Sequence, residues 1–326
     1  MDRLDLRLLK SLLVNNGVPP GVPALRKSFR SIGKELGVDQ GTVRKRIRRF
    51  QEHRILRGWY LAVYPGIDGN DVVHAWFEVQ GESSKGGQIE KLLSVPDVER
   101  VCDYLGPKLS IVLFTKKGTD QDATLRRLTR MLGPGVKLHK QGVIVTASSR
   151  LKDTDAAIIS SLRRDPWKPF SAISEEIGLS ERTVKRRVAS LSEGSAIYML
   201  PIIDLKALHG SIPMELVIDY ASSRAKESVN EEIASQIKEG IVFSNISGPY
   251  GYFALVVHNL AQVEQITHWA NQLPGVRRAH ADLLQNVILN RSHYEIDKVP
   301  EGKIGRREAV SLPEPVRPRA GLSRTG

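Results

Sequence analysis

Four cations share the outer side of one short stretch, Thr42-Val43-Arg44-Lys45-Arg46-Ile47-Arg48-Arg49-Phe50. Val43, Ile47 and Phe50 recur at helical spacing and form one apolar face. Thr42, Arg44, Lys45, Arg48 and Arg49 are left facing outward. Like charges this close repel one another unless a polyanion lies alongside, and an Arg guanidinium can also fork onto guanine in a major groove. The chemistry that suits this face is neutralisation of phosphates and reading of bases in double-stranded DNA. Gln40 opens the same helix and joins the candidate DNA-contacting set.

The block returns. Residues 32–47, from Ile32-Gly33-Lys34-Glu35 to Arg44-Lys45-Arg46-Ile47, reappear about 141 residues later as Ile173-Ser174-Glu175-Glu176 to Lys185-Arg186-Arg187-Val188. In each copy an amphipathic helix ends at a Gly (Gly37, Gly178) and a polar residue (Asp39, Ser180) caps a second helix rich in Arg and Lys. That is the sequence form of a helix-turn-helix. In the second copy Val184, Val188 and Leu191 make the apolar face, and Arg182, Thr183, Lys185 and Arg186 are the candidate contacts. Ala189 and Ser190 stand where Arg48 and Arg49 were, and Glu175, Glu176 and Glu181 add opposing charge. The second helix is expected to hold DNA less strongly.

The chain has 326 residues, a net charge of +12 and 41% hydrophobic residues, enough for two to four ordinary cores. The charge is concentrated. Residues 1–65 carry 14 Lys and Arg against 5 Asp and Glu, whereas residues 150–205 carry 9 against 8. A focused basic patch suits a phosphate backbone better than dispersed solubility charge does. No apolar run approaches the roughly 20 residues of a membrane span, and the N-terminus lacks a basic-then-apolar export pattern. With Cys102 as the single cysteine, intramolecular disulfides and multi-thiolate zinc sites are excluded, and a cytoplasmic location is expected. The eight histidines show no metal-ligand spacing. The sequence also lacks a phosphate-binding loop, a dinucleotide fingerprint and a serine-hydrolase elbow. No cofactor is called for.

Stepping along the chain, Leu4, Leu8, Leu9 and Leu12 give a first helix before the loop of Gly17, Pro19, Pro20, Gly21 and Pro23. Helices follow over about Phe29 to Leu36 and Gly41 to Glu52, then Ile55 to Val63 reads as a wing or linker strand. The second copy repeats this order from Ala157, Ile158, Ile159 and Leu162. Behind each copy lies a unit of about 80 residues ordered strand-helix-strand-strand-helix-strand. In the first, strands are expected at Val72 to Val79, Val98 to Asp103, Ser110 to Thr115 and Gly142 to Ala147. In the second they are expected at Met214 to Asp219, Ile241 to Ser247, Tyr252 to Val257 and Ala281 to Leu289. Gly-Pro turns (Gly106-Pro107, Gly248-Pro249) and Pro-Gly-Val segments (Pro134 to Val136, Pro274 to Val276) set the two in register.

The fold class is therefore α+β, with two winged helix-turn-helix domains alternating with two ferredoxin-like (βαββαβ) domains. The boundaries are 1–65, 66–149, 150–205 and 206–297, followed by a disordered basic tail over 298–326. Trp59, Tyr60, Trp76 and Trp269 read as packing aromatics rather than base-stacking groups.

This layout resembles the Lrp/AsnC (feast/famine) family of transcription regulators over about Leu4 to Tyr294, as two units fused head to tail. The matching residues are the opening Leu4-Asp5 (Thr154-Asp155 in the second copy), the Gly-Val-Asp and Gly-Leu-Ser turns and the Thr-Val-x-x-Arg helices. The resemblance implies a sequence-specific DNA-binding regulator, assembled as a homo-oligomer. It also implies an effector site for an amino acid or other small metabolite at a turn matched by Gly248, Tyr250 and Tyr252, where Gly251 replaces an acidic residue. Two alternatives stand beside it. Siroheme decarboxylases resemble the same layout, and His74, His139 or His280 would then be acid-base groups. A chromatin-coating protein would use the same charge without reading sequence.

Overall fold

In both copies the third helix begins where a short polar side chain caps it. Asp39 accepts from the Thr42 amide and Ser180 from the Thr183 amide, each satisfying a donor that the first turn leaves bare. Just before these caps, Gly37 and Gly178 end the second helices at φ of 71° and 69°, a left-handed corner where a Cβ is unfavourable. The corner is tight on its other side too. A Cβ on Gly33 would lie 2.6 Å from the Val38 carbonyl oxygen. The second copy has Ser174 at that place, with its hydroxyl donating to the Leu179 carbonyl.

The computed structural model describes residues 1–13, 28–80, 85–144, 151–194, 196–237, 242–244 and 250–290. In chain order the first half contains α1 (Arg3–Leu13), α2 (Phe29–Leu36), α3 (Gln40–Glu52), β1 (Leu56–Val63), β2 (Asn70–Val79), α4 (Lys85–Leu93), β3 (Val98–Tyr104), β4 (Lys108–Lys116), α5 (Gln121–Leu132) and β5 (Val136–Ile144). The second half repeats the order with α6 (Asp153–Arg164), α7 (Phe170–Ile177), α8 (Glu181–Glu193), β6 (Ile197–Ile203), β7 (Ile212–Tyr220), α9 (Ala225–Gln236), β8 (Val242–Ser244), β9 (Tyr250–Val257), α10 (Leu260–Gln272) and β10 (Val276–Leu289). The molecule is thus mixed α+β, and among the described residues every strand pair is antiparallel. The loop over residues 14–27, the Gly248-Pro249 turn and the tail from 298 lie outside the described residues. No helix among the described residues is long and apolar enough to cross a membrane.

Eight strands form one sheet in the order β5-β2-β4-β3-β10-β7-β9-β8. Each half contributes its own strands in the order fourth, first, third, second, and the halves join where β3 pairs with β10, Cys102 opposite Val287. Helices α4 and α5 cover one face of the first half over a core including Val73, Phe77, Leu92, Ile111 and Leu128. In the second half the core includes Leu216, Val229, Ile233, Phe253 and Ala270. The opposite faces of the two halves meet each other, with Trp76, Cys102 and Tyr104 from the first packed against Val217 and Tyr252 from the second.

The segment expected as a wing or linker strand is a strand, and its partner lies in the other copy. Among the described residues β1 makes no hairpin within its own copy; it pairs with β6, Leu61 opposite Met199 and Leu56 opposite Ile203. This ribbon runs from one three-helix core to the other. Its first end, with Leu56 and Ile203, closes the core of Leu8, Leu9, Ile32, Val43 and Phe50, which Leu208 completes. Its other end, with Leu61 and Ile197, closes the core of Ile158, Leu162, Ile173, Val184 and Val188. Two boundaries also move: β5 starts at Val136 rather than Gly142, and β10 at Val276 rather than Ala281.

The crossing gives a test. Leu61 belongs to the first copy by sequence yet is buried in the second helical core, so Leu61→Ala should cost about 2–5 kcal/mol. Hydrogen exchange read by mass spectrometry should show the loss of protection in α6 and α8. If α2 and α3 lose protection instead, the cores are not cross-filled.

Candidate nucleic-acid interface

Helix α3 presents the charge that its sequence promised. Val43, Ile47 and Phe50 are buried, and Gln40, Arg44, Lys45 and Arg48 are exposed. Arg44, Lys45 and Arg48 form no ion pair with a carboxylate among the described residues; the Arg44 guanidinium lies 5.9 Å over the Phe29 ring. Thr42 is half-buried, with its hydroxyl donating to Asp39 at 2.5 Å. That bond, with the Thr42 amide, holds the Asp39 carboxyl below its ordinary range, which keeps the cap ionised.

Two other cations of α3 are engaged by carboxylates near the N-terminus. Arg46 donates to Asp2 at 2.7 Å and to Asp5 at 2.6 Å, and Arg49 to the other Asp5 oxygen at 2.5 Å. Asp5 is 1% exposed, so its charge depends on these partners. Arg49, expected among the DNA contacts, is therefore first a clamp on α1, although its side chain remains partly exposed. The second copy has the same tie. Arg187 grips Asp155 of α6 with both its Nε and Nη2, the Nε bond being 2.7 Å. A second tie repeats beside it: Ser11 donates to Glu35 at 3.1 Å, and Ser161 to Glu176 at 2.7 Å. The first helix is thus pinned to the second and third by polar bonds in both copies. Reading the cationic helix as a single outward face missed these ties. The signal was present in the repeat itself, since Asp5 and Arg46 recur as Asp155 and Arg187 at matching places of the two copies.

On α8, Arg182 and Arg186 are exposed and Thr183 is half-buried, its hydroxyl 2.9 Å from that of Ser180. Lys185 reaches back to Glu181 at 2.6 Å, an i, i+4 pair that turns part of its charge inward to the protein. The outer face of α3 therefore offers three cations without a carboxylate partner, and that of α8 offers two, Arg182 and Arg186.

Two of the residues expected to hold an effector, Tyr250 and Tyr252, both lie against Trp76. Gly248 lies outside the described residues. Tyr250 is half-buried, under the Lys140 ammonium at 5.4 Å and edge-on to Trp76 at 6.3 Å. Tyr252 is buried and packs on His74 at 4.7 Å and Trp76 at 6.0 Å. At Gly251 a Cβ would lie 2.3 Å from the Tyr220 hydroxyl oxygen, and that hydroxyl donates to Asn230. The Tyr220 ring thus occupies the space an acidic side chain would need. The three histidines named as acid-base groups sit in different settings. His74 is buried and stacked on Trp76 at 4.0 Å, His139 is exposed on β5, and His280 lies 3.5 Å from Asp282.

Residues 1–51 and 151–192 each match the AsnC-type helix-turn-helix domain. The HTH-type transcriptional regulator Ptr1 of Methanocaldococcus jannaschii is 36% identical over 94 residues, 29% of this chain and 55% of that protein. The chain thus spans about half the length of the curated relative it matches. Among solved structures, siroheme decarboxylase NirDL is similar at 14% identity and a TM-score of 0.49, over 90% of this chain and 96% of that one. Escherichia coli AsnC is similar at 18% identity and a TM-score of 0.31, over 47% of this chain and 97% of that one. An AsnC family transcriptional regulator from Agrobacterium tumefaciens gives 18% identity and 0.32, over 42% and 91%.

The division between inward and outward cations is testable by denaturation. Arg187→Ala leaves the buried Asp155 charge without its partner and should cost about 1.5–3 kcal/mol. Arg186→Ala, one residue away and exposed, should stay within about 0.5 kcal/mol of the parent. Equal denaturant midpoints for the two variants would mean that the Asp155 tie does not hold the helices together.

Proposed function

We propose that this chain is a sequence-specific DNA-binding transcription regulator of the Lrp/AsnC type. Its two winged helix-turn-helix domains span 1–65 and 150–205, its two ferredoxin-like domains 66–149 and 206–297, and its basic tail 298–326. The observation that carries this is the outer face of α3, where Arg44, Lys45 and Arg48 are exposed without carboxylate partners on an element matched to a helix-turn-helix. A cluster of that kind is stabilised when phosphates replace solvent beside it, with release of the counterions they hold. Gln40, Arg44 and Arg48 on α3, and Arg182 and Arg186 on α8, are the groups for base edges; Lys45 and Lys185 serve the backbone. Arg49 contributes to the field while holding Asp5.

The two helices read unequally. α8 offers fewer uncommitted cations, and Glu181 offsets Lys185, so one half-site is bound strongly and the other weakly. A true palindrome is not the preferred operator, because two different reading helices favour different half-sites. An amino acid or similar metabolite is sensed by the sheet halves, through surroundings of Tyr250 that differ from the turn the family resemblance implied. Further association of chains uses the edge strands β5 and β8, since the opposed sheet faces are already filled by each other. Catalysis has no part in this reading, in which His74 is a buried packing residue against Trp76 and Tyr252.

The test compares two triple variants on a mapped site over a range of salt concentrations. Alanine at Arg44, Lys45 and Arg48 should weaken binding far more than alanine at Arg182, Lys185 and Arg186. Arg187 is left intact in both because it supports Asp155. Each lost phosphate contact should flatten the log-log salt dependence by about one unit. Equal losses, or a larger loss from the α8 variant, would overturn the assignment of α3 as the main reading helix.

A further inference from the structure

A row of buried polar side chains crosses the seam between the two halves of the sheet. His74 of β2 contacts Ser110 of β4 at 3.3 Å, Ser110 lies 2.9 Å from the Tyr104 hydroxyl of β3, and Tyr104 donates to Glu215 of β7 at 2.5 Å. His74, Ser110, Tyr104 and Glu215 are all buried. Glu215 occupies an unusual place for a carboxyl. It pairs with no Lys, Arg or His within ion-pair distance among the described residues, and the hydrogen bond shown to it comes from a phenol. Two carboxyls tied across the same seam do have cations: Lys108 donates to Asp282 and Lys140 to Asp219, each at 2.5 Å. In these three ties the donor belongs to the first half and the carboxyl to the second.

We propose that Glu215 is a proton-operated latch between the two halves: with its carboxyl neutral the halves dock fully, and its ionisation weakens the docking. The physical reason is that a buried carboxylate without a cation at contact loses its hydration and recovers little of it from one phenol. A carboxylic acid in the same place costs far less and keeps its bond to Tyr104. The surroundings agree. Facing Glu215 are Tyr104, Cys102 and Arg100 from β3, the last beside Glu99 at 3.2 Å, and Asp282 from β10 with its partners Lys108 and His280. His74 lies at the far end of the row, and Tyr252 of β9 packs over it. Burial pushes the Glu215 carboxyl up to about 7, against the downward pull of the Tyr104 hydroxyl and the Arg100 charge, with Asp282 adding to the rise. Asp282, by contrast, is held below its ordinary range: burial works upward, but the bonds from His280 and Lys108 outweigh it.

The sign follows from linkage. A carboxyl raised from its ordinary 4.5 to about 7 on folding contributes stability that is complete below the unfolded value and lost as pH climbs through the folded one. His74 acts in the opposite sense. Burial, and then the Arg100 charge, lower its pKa well below 6.5, so its contribution is present above the unfolded value and is lost as pH falls. The two effects oppose each other across the acidic side of neutrality. The parent protein alone therefore hides the latch, and a difference from a variant reveals it.

The experiment uses the full chain and Glu215→Gln, with thermal midpoints taken from about pH 5 to about pH 8 at constant ionic strength. The parent midpoint minus the variant midpoint should fall by roughly 5 °C between about pH 5 and pH 7 and then level off. At one pH above that transition, amides of β10 should exchange faster in the parent than in the variant, while those of α3 match. Infrared spectroscopy of the parent needs no variant: a protonated-carboxyl band should be present at about pH 6 and lost by about pH 8. Should Glu215→Gln fail to fold, Tyr104→Phe keeps the carboxyl, removes its donor and should move loss of that band to higher pH. A pH-independent difference, equal β10 exchange, or no protonated band at about pH 6 would each overturn the latch.

Discussion

The pairing of β1 with β6 is the constraint on which the rest of the molecule depends. An isolated two-stranded ribbon is marginal in water. This one is stabilised because each end is buried in a different three-helix core, Leu56 and Ile203 in one and Leu61 and Ile197 in the other. Neither core is complete without the ribbon. Helices α3 and α8 therefore cannot be positioned independently, and their relative placement is set by a short, cross-filled connection rather than by a flexible linker. The join of β3 to β10 and the packing of Trp76 and Tyr104 against Val217 and Tyr252 fix the sheet halves behind them in the same way.

On this frame the cations divide into two kinds. Arg46 and Arg49 in one copy, and Arg187 in the other, neutralise buried carboxylates of the first helix. Arg44, Lys45 and Arg48, with Arg182 and Arg186, are left for an external anion. Net charge alone does not separate these kinds. It does predict the direction of the asymmetry between the copies, because Glu181 engages Lys185 only on α8. The two units share a fold and a set of internal ties, and they differ in what they offer outward.

Much of this was legible in the sequence where a local rule applies. The apolar periodicity of Val43, Ile47 and Phe50, the caps at Asp39 and Ser180 and the left-handed Gly37 and Gly178 all follow from nearest-neighbour physics. The strands were less legible where their faces are polar. The Lys137-Leu138-His139-Lys140 stretch of β5 carries one cation, Lys140, that turns inward to Asp219, so apolar content marked only the end of the strand. The ribbon could not be foreseen, because partners some 140 residues apart carry no local signature. The buried row from His74 to Glu215 was equally hidden, since each of its residues taken alone reads as a surface or hydroxyl position. Arg49 shows the same limit: helical spacing gave its face, and only Asp5 reveals what it holds.

The central claim is the proposed one, that one chain presents two unequal reading helices on a single shared frame. The most direct measurement is a hydroxyl-radical footprint of the full chain on a mapped binding site, at a concentration that saturates the strong half-site. The account predicts two protected patches on one face of the duplex, separated by about one helical turn or a multiple of it, with one patch clearly deeper. Alanine at Arg44, Lys45 and Arg48 should erase the deeper patch first. A single patch, two patches of equal depth, or uniform coverage without phase would contradict it.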